Sequence, residues 1–291
     1  MLSQVLPLLL LLFISLHITL FAGHYWAWEV AGVLHGSISP SNILFCRAGD
    51  DIIGVLCDWD PARAKERLGN IANIFIDPQD LKVRQEDLND DRGDEERIRD
   101  IEETLRKISE ESGDATIIST TESEASRRQA SYRNGTGTFA AMDLLSPKII
   151  STHLYRYDLE SFFWVLTWFV ATHNPIQHTL GRINEWLNAD LNAVYDAKRM
   201  FLRNLRRATK ILSKGSPRYK SIKSTCITPL IKTFRALETE GQTVEDLHDN
   251  LLGHIVSNNR ASANQCLVDI RRRMNDRNLM VSFRLFMDLL L

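Results

Sequence analysis

Hydrophobic side chains are spread unevenly along this chain. From Met1 to Gly23 there is no charged residue, and Leu6 to Phe13 is nearly all leucine, interrupted by Pro7. At about 1.5 Å per residue, a helix of that length just crosses a bilayer. Three readings stay open: a signal-anchor helix, a signal peptide, and a buried helix or a sequence replacing a lost upstream region. The signal-peptide reading lacks an upstream Lys or Arg and a small-x-small cleavage site. Loop charge does not orient the segment, because the nearest downstream charges are Glu29 and Arg47.

Further along, the pattern alternates between order and polarity. Tyr25 to Val30 is aromatic-rich and predicts a helix end, stopped near Gly32. Ile52 to Cys57 predicts a short buried strand, ending in Asp58-Trp59-Asp60. Residues 61–133 change character. Asp87 to Asp114 is dense in charge, and Ile98, Ile101, Leu105 and Ile108 recur at helical spacing, with Glu102–Arg106 and Glu103–Lys107 four apart. One exposed charged helix inside a mostly disordered insert is expected, followed by a Ser/Thr-rich stretch from Thr116 to Ser131. Arg127-Arg128-Gln129-Ala130-Ser131 reads as a solvated basic spot or as a phosphorylation site for a basophilic kinase.

Order returns at Gly135-Thr136-Gly137-Thr138-Phe139. Leu159 to Thr172 is apolar on all sides and short for a membrane span, so a core helix is expected. The remainder, to Leu291, has a helical pattern. Ile183, Trp186, Leu187 and Leu191 suggest one amphipathic stripe, and Pro175, Pro217 and Pro229 mark interruptions. The fold class expected is α+β, mainly α.

Composition narrows this picture only a little. The apolar fraction of 44% and charged fraction of 25% are ordinary for a globular chain of 291 residues. The formal net charge of −2 gives no electrostatic case for nucleic-acid binding. Cys46, Cys57, Cys226 and Cys266 lack the close spacing of a zinc or redox motif, so free, mostly buried thiols in a reducing compartment are expected.

Four segments carry candidate chemistry, in order. They are Val33-Leu34-His35-Gly36-Ser37-Ile38-Ser39-Pro40-Ser41-Asn42-Ile43-Leu44; Asp58-Trp59-Asp60-Pro61-Ala62; Gly135 to Leu145; and Tyr155-Arg156-Tyr157-Asp158-Leu159-Glu160-Ser161-Phe162-Phe163. Each is weak alone, but their order is specific. The set resembles the fungal-type protein kinases, whose members read V-L-H-R-D-I-S-x-x-N-I-L, D-W-D-L-A, R-T-G-T-x-x-F-M-A-x-E-L-L and H-D-L-E-S-F-F-Y-V-L. The stretch from Glu185-Trp186 to Lys198-Arg199-Met200-Phe201-Leu202 is similar to that family's W…K-x-x-F-L. The resemblance covers roughly Tyr25 to Leu202, without the insert.

The resemblance implies a protein-kinase-like large lobe, formed by residues 24–60 and 134–291, with the small N-terminal lobe missing. His35 matches the histidine that shapes the catalytic loop. Asn42 and Asp58 match magnesium ligands, and Trp59 takes the aromatic place after Asp58. Asp158 matches the aspartate that ties down the loop backbone. Asp143 stands where the family has the glutamate of a structural ion pair. Mg and ATP follow as cofactors by resemblance only.

The departures change the expected function. Ser37 stands at the position of the aspartate that accepts the substrate hydroxyl proton. A serine hydroxyl is a poor base near neutral pH. Gly36 replaces an arginine. Only 34 residues precede His35, and the first lysine is Lys65, so no lysine serves the ATP phosphates in the usual place. No catalytic set is intact, and Ser37→Asp alone is not expected to restore one. The expected function is a catalytically inactive kinase-like domain. A protein-interaction module and a truncated gene product are the alternatives. A protein partner, no nucleic acid, a membrane contact through residues 1–23 and a cytoplasmic location are the matching expectations. Asn134-Gly135-Thr136, a glycosylation sequon, would argue against the last if it carried a glycan.

Overall fold

The computed structural model describes residues 2–48, 51–59, 63–64, 137–145 and 153–290, with side chains of the first helix described from Leu16. The expected charged helix, the Arg127–Ser131 site, the Asn134 sequon, Asp60 and nearly all of 61–133 lie outside the described residues.

The architecture is mainly helical, with three small antiparallel ladders. α1 spans Leu2–Ala31 and stops at Gly32, whose φ of 64° no side chain opposes and whose N–H bonds the Trp28 carbonyl. β1 (Val33–Leu34) pairs with β4 (Arg63–Ala64), and β2 (Ile43–Ala48) with β3 (Asp51–Leu56). Then come α2 (Met142–Leu145), α3 (Tyr155–Thr172) and the β5–β6 ladder (His173–Asn174 with Thr179–Leu180). α4 (Leu191–Arg203), α5 (Leu205–Leu212), α6 (Thr228–Val256), α7 (Arg260–Leu279) and α8 (Phe283–Leu290) complete the chain.

α3 is the core helix the sequence predicts. Phe162, Phe163, Trp164, Leu166 and Val170 are almost wholly buried. Trp164 meets the Trp186 ring edge-on at 5.1 Å, and Phe163 stacks on Phe234 at 4.5 Å. Each such buried side chain contributes about 1.5–3 kcal/mol of transfer free energy. A smaller second cluster (Leu251, Ile255, Leu267, Ile270) joins α6 to α7.

The apolar N-terminal segment takes on a definite role where it is described. His17, Leu20, Phe21 and His24 form a buried stripe at helical spacing. Phe21 packs against Phe162 and Phe286 at 4.4 and 4.8 Å. The second half of α1 is therefore an integral core helix, and the division at residue 23 falls inside it. Among the described residues, no helix is long and apolar enough to cross a membrane.

Three sequence expectations need correction. The strand expected to be buried over Ile52–Cys57 is Asp51–Leu56, and it alternates: Gly54 and Leu56 are buried against α1, whereas Ile53 and Val55 face outward. A two-stranded ladder with one packed side shows this period of two. Ile183 to Leu191 is not one helix. Trp186 lies in a 3-10 turn, and α4 begins only at Leu191, where Asp190 caps it by accepting from the Asn192 N–H at 2.9 Å. The four thiols are free, but only Cys226 and Cys266 are buried, and Cys46 is exposed.

Gly54 sets how closely the β2–β3 hairpin approaches α1. Its N–H donates to Thr19 Oγ1 at 2.7 Å, and an added Cβ would sit 2.5 Å from the Leu16 carbonyl oxygen. Gly54→Val should therefore destabilise the domain by about 1–3 kcal/mol through overpacking. Urea denaturation measures this, and an unchanged midpoint would refute the close-packing account.

Candidate functional site around the His35–Asn42 loop

The loop from His35 to Asn42 connects β1 to β2 and is held by groups distant in sequence. Gly36 turns it at φ 74°, in the left-handed region that costs a side chain roughly 1–2 kcal/mol. The arginine expected from the resemblance would be strained in this backbone.

His35 is fully buried. Its Nε2–H donates to the Cys57 carbonyl at 2.9 Å, and its Nδ1 accepts from the Ser37 N–H at 3.2 Å. Both bonds suit the neutral ring with its proton on Nε2. Burial pushes the imidazole pKa down, against the Cys57 carbonyl and Asp158, which favour charge. The Trp59 ring lies 4.7 Å from that of His35, so the two motif segments pack together.

Asp158, in the first turn of α3, is the anchor. Its Oδ2 accepts from the His35 backbone N–H at 2.8 Å, and its Oδ1 from the Gly36 N–H at 3.0 Å. His24 Nε2 lies 2.8 Å from Oδ2, and His153 Nε2 lies 2.9 Å from Oδ1. Burial alone would raise this carboxyl pKa. His153 and His24 overcome burial and hold it well below the usual carboxylate range.

Ser37 is half-buried at the tip of the loop. Its carbonyl accepts from Asn42 Nδ2 at 2.9 Å, so the Asn42 side chain closes the loop from within. Asn42 Oδ1 meets Ser41 Oγ at 3.4 Å. Asp58 is exposed and holds φ 64°, a conformation aspartate tolerates better than most residues. The Asn42 and Asp58 oxygens are hard donors suited to a divalent cation, but two protein oxygens alone form a weak site. Among the described residues, no group of three or more His, Cys, Asp or Glu could hold a metal ion.

Asp143 belongs to a second polar centre behind the loop. It is buried and pairs with Arg156 and with Arg277, the latter at 3.1 and 3.2 Å. Burial raises its pKa less than the two guanidiniums lower it, and the carboxyl stays ionised. Glu160 accepts from the Met142 N–H at 2.8 Å and from Trp164 Nε1 at 3.1 Å. Lys198 Nζ donates to the Ala140 carbonyl at 2.6 Å and lies over the Trp164 ring. Burial lowers the Lys198 pKa, and Glu160 offsets only part of this. Together these groups pin residues 140–143 to α3 and α4.

Sequence reasoning named His35, Ser37, Asn42, Asp58, Asp143 and Asp158. It did not single out His24, His153, Arg156, Glu160 or Arg277 for a role. Arg156 and Glu160 flank Asp158 in the same sequence motif. Nothing local marks His24 or Arg277.

Comparison with known families finds one match: the fungal protein kinase family model aligns with residues 114–170. That stretch contains Asp143 and the start of α3 with Asp158. The chain is thus similar to a kinase family over a short part of its length, in keeping with the resemblance its motifs carry. The His35–Asn42 loop and Asp58 lie outside the matched stretch, and their correspondence rests on their own residues. No curated protein and no solved structure matches the chain.

Removing the Asp158 carboxylate takes an acceptor away from His24, His153 and two loop N–H groups. Asp158→Ala should cost about 3–5 kcal/mol, with Asp158→Asn retaining part of it, as urea denaturation would measure. A loss below about 1 kcal/mol would contradict the anchoring role.

The pH dependence has two stages. With its folded pKa depressed, His35 stabilises the fold fully above its ordinary pKa near 6.5, and this is lost as pH falls through the folded value. Asp158 contributes fully above about pH 4 and loses its contribution only in stronger acid. Stability should fall as pH drops below about 6.5, and His35→Gln should flatten that stage. An equal slope in both proteins would rule out His35 as its source.

Proposed function

We propose that this chain is a kinase-like domain that does not transfer phosphate. The single observation that carries the reading is Ser37 at the loop position where the resemblance implies a proton-accepting aspartate. Asp158 holds the loop around it and Asn42 closes that loop from within, while residue 37 carries no carboxylate to act as the base. Positioning and charge neutralisation supply much of phosphoryl transfer, so loss of the base alone leaves slow residual activity at most. Mg and ATP remain expectations of the resemblance, with Asn42 and Asp58 as the residues that would face the ion. A cytoplasmic setting follows from the same resemblance, and a glycosidase-sensitive mass shift would refute it.

Incubation with magnesium, labelled ATP and a generic substrate should give no transfer above background. Transfer that disappears in Asp58→Ala would overturn the inactive reading.

A second reading, a protein-interaction module, has one observation in its favour. The outward face of the β2–β3 hairpin carries Leu44, Cys46, Ile53 and Val55, all exposed, and Leu44 is 55% accessible. An apolar sheet face of this kind suits an apolar protein surface. Leu44→Glu with Val55→Glu should abolish partner capture in a pull-down while leaving the fold intact. A wild-type chain that stays monomeric and captures nothing would count against this reading.

A further inference from the structure

The whole-chain charge of −2 conceals a strongly polarised stretch. Between Asp196 and Glu238 the sequence contains no acidic residue, yet it has twelve lysines and arginines. Several are consumed internally. Arg199 and Arg203 pair with Glu238, Arg207 pairs with Glu185, and Lys198, Lys223 and Arg235 donate to backbone carbonyls. Among the described residues, Arg206, Lys210, Lys214, Arg218 and Lys220 make no ion pair or side-chain hydrogen bond.

These five cations follow one another along α5 and the turn after it, four of them exposed and Arg218 half-buried. In α5, Ala208, Ile211 and Leu212 face the core, which leaves Arg206 and Lys210, one turn apart, facing out. Gly215, tight against the backbone at Val170–Ala171, and Tyr219, bonded through its hydroxyl to His173, then bind the following turn to the end of α3. Lys214, Arg218 and Lys220 lie at the intervening positions, with Lys214 and Lys220 exposed and Arg218 half-buried.

We infer that this surface, from Arg206 to Lys220, docks an acidic protein segment. The cations are interleaved with the hydroxyls of Thr209 and Ser221, a group that can also donate to carboxylates. Arg206 and Lys210 are about 6 Å apart along the helix, a repeat matched by carboxylates at i, i+4 of a helix or at i, i+2 of a strand. Single-stranded nucleic acid calls for exposed rings on which bases stack. The one aromatic here, Tyr219, is buried. A bilayer calls for an apolar face beside the cations. The apolar face of α5 is already spent on the core, leaving only Leu205 exposed.

The test is binding of the full chain to a fluorescent polyglutamate peptide, followed by anisotropy at low and high salt. Arg206→Glu, Lys210→Glu and Lys214→Glu combined should weaken binding by about tenfold or more, and added salt should weaken the wild type. Arg260→Glu, an exposed cation on α7, is the control and should change binding by less than about twofold. All four positions are exposed, and matched thermal melts establish that the variants fold. Absence of peptide binding, or an equal loss in the control, would overturn the inference. So would tighter binding to single-stranded DNA or phosphatidylserine vesicles that the triple variant abolishes.

Discussion

The buried carboxylate of Asp158 is the interaction on which the rest of the described structure depends. It joins three chain segments at one point: α1 through His24, the loop through the His35 and Gly36 N–H groups, and the approach to α3 through His153. A buried charge is tolerated only when its lone pairs are filled, and here both oxygens are engaged by several donors. The partners come from positions 134, 123 and 5 residues away, so the group acts as a tertiary clip rather than a local cap. With α1 and α3 held together, Phe21 reaches Phe162 and the aromatic core closes around them.

Behind the loop, a second set of buried polar groups does related work. Glu160, Lys198, Asp143, Arg156 and Arg277 hold the stretch around Met142 to α3, α4 and α7. A well-packed apolar core would often be as stable as such a set. What the charges add is a defined position for residues 140–143, because each oxygen has few partners that can satisfy it. Asp158 of the first centre lies between Arg156 and Glu160 of the second at the start of α3, so loop and following segment are positioned by one rigid element.

Much of the loop was legible in the sequence. His35 and Asn42 stand at motif spacing, and Ser37 identifies itself by contrast with the residue the motif requires. Asp158 was visible through the apolar helix it precedes. What bonds to these residues was much less legible. His24 directly follows an apolar segment that also reads as a membrane anchor, and its contact with Asp158 gives it a role. Net charge misled in a similar way. Summing signs over 291 residues hid a region with cations and no acids, because electrostatics acts locally within about a Debye length of 8–10 Å.

By itself, the sequence determined the helical character of residues 159–172, the loop with its serine and the free state of the four thiols. Each follows from local periodicity, motif spacing or thiol count, which need no knowledge of distant segments. Only the tertiary structure decided that the second half of α1 is an integral part of the core, that β3 has one exposed face, and that two histidines complete the Asp158 anchor. An apolar side chain gains from burial against any apolar surface, so composition leaves its partner open. Long-range packing makes that choice, and here it sets the end of a stretch that reads like a membrane anchor against α3 and the β2–β3 hairpin.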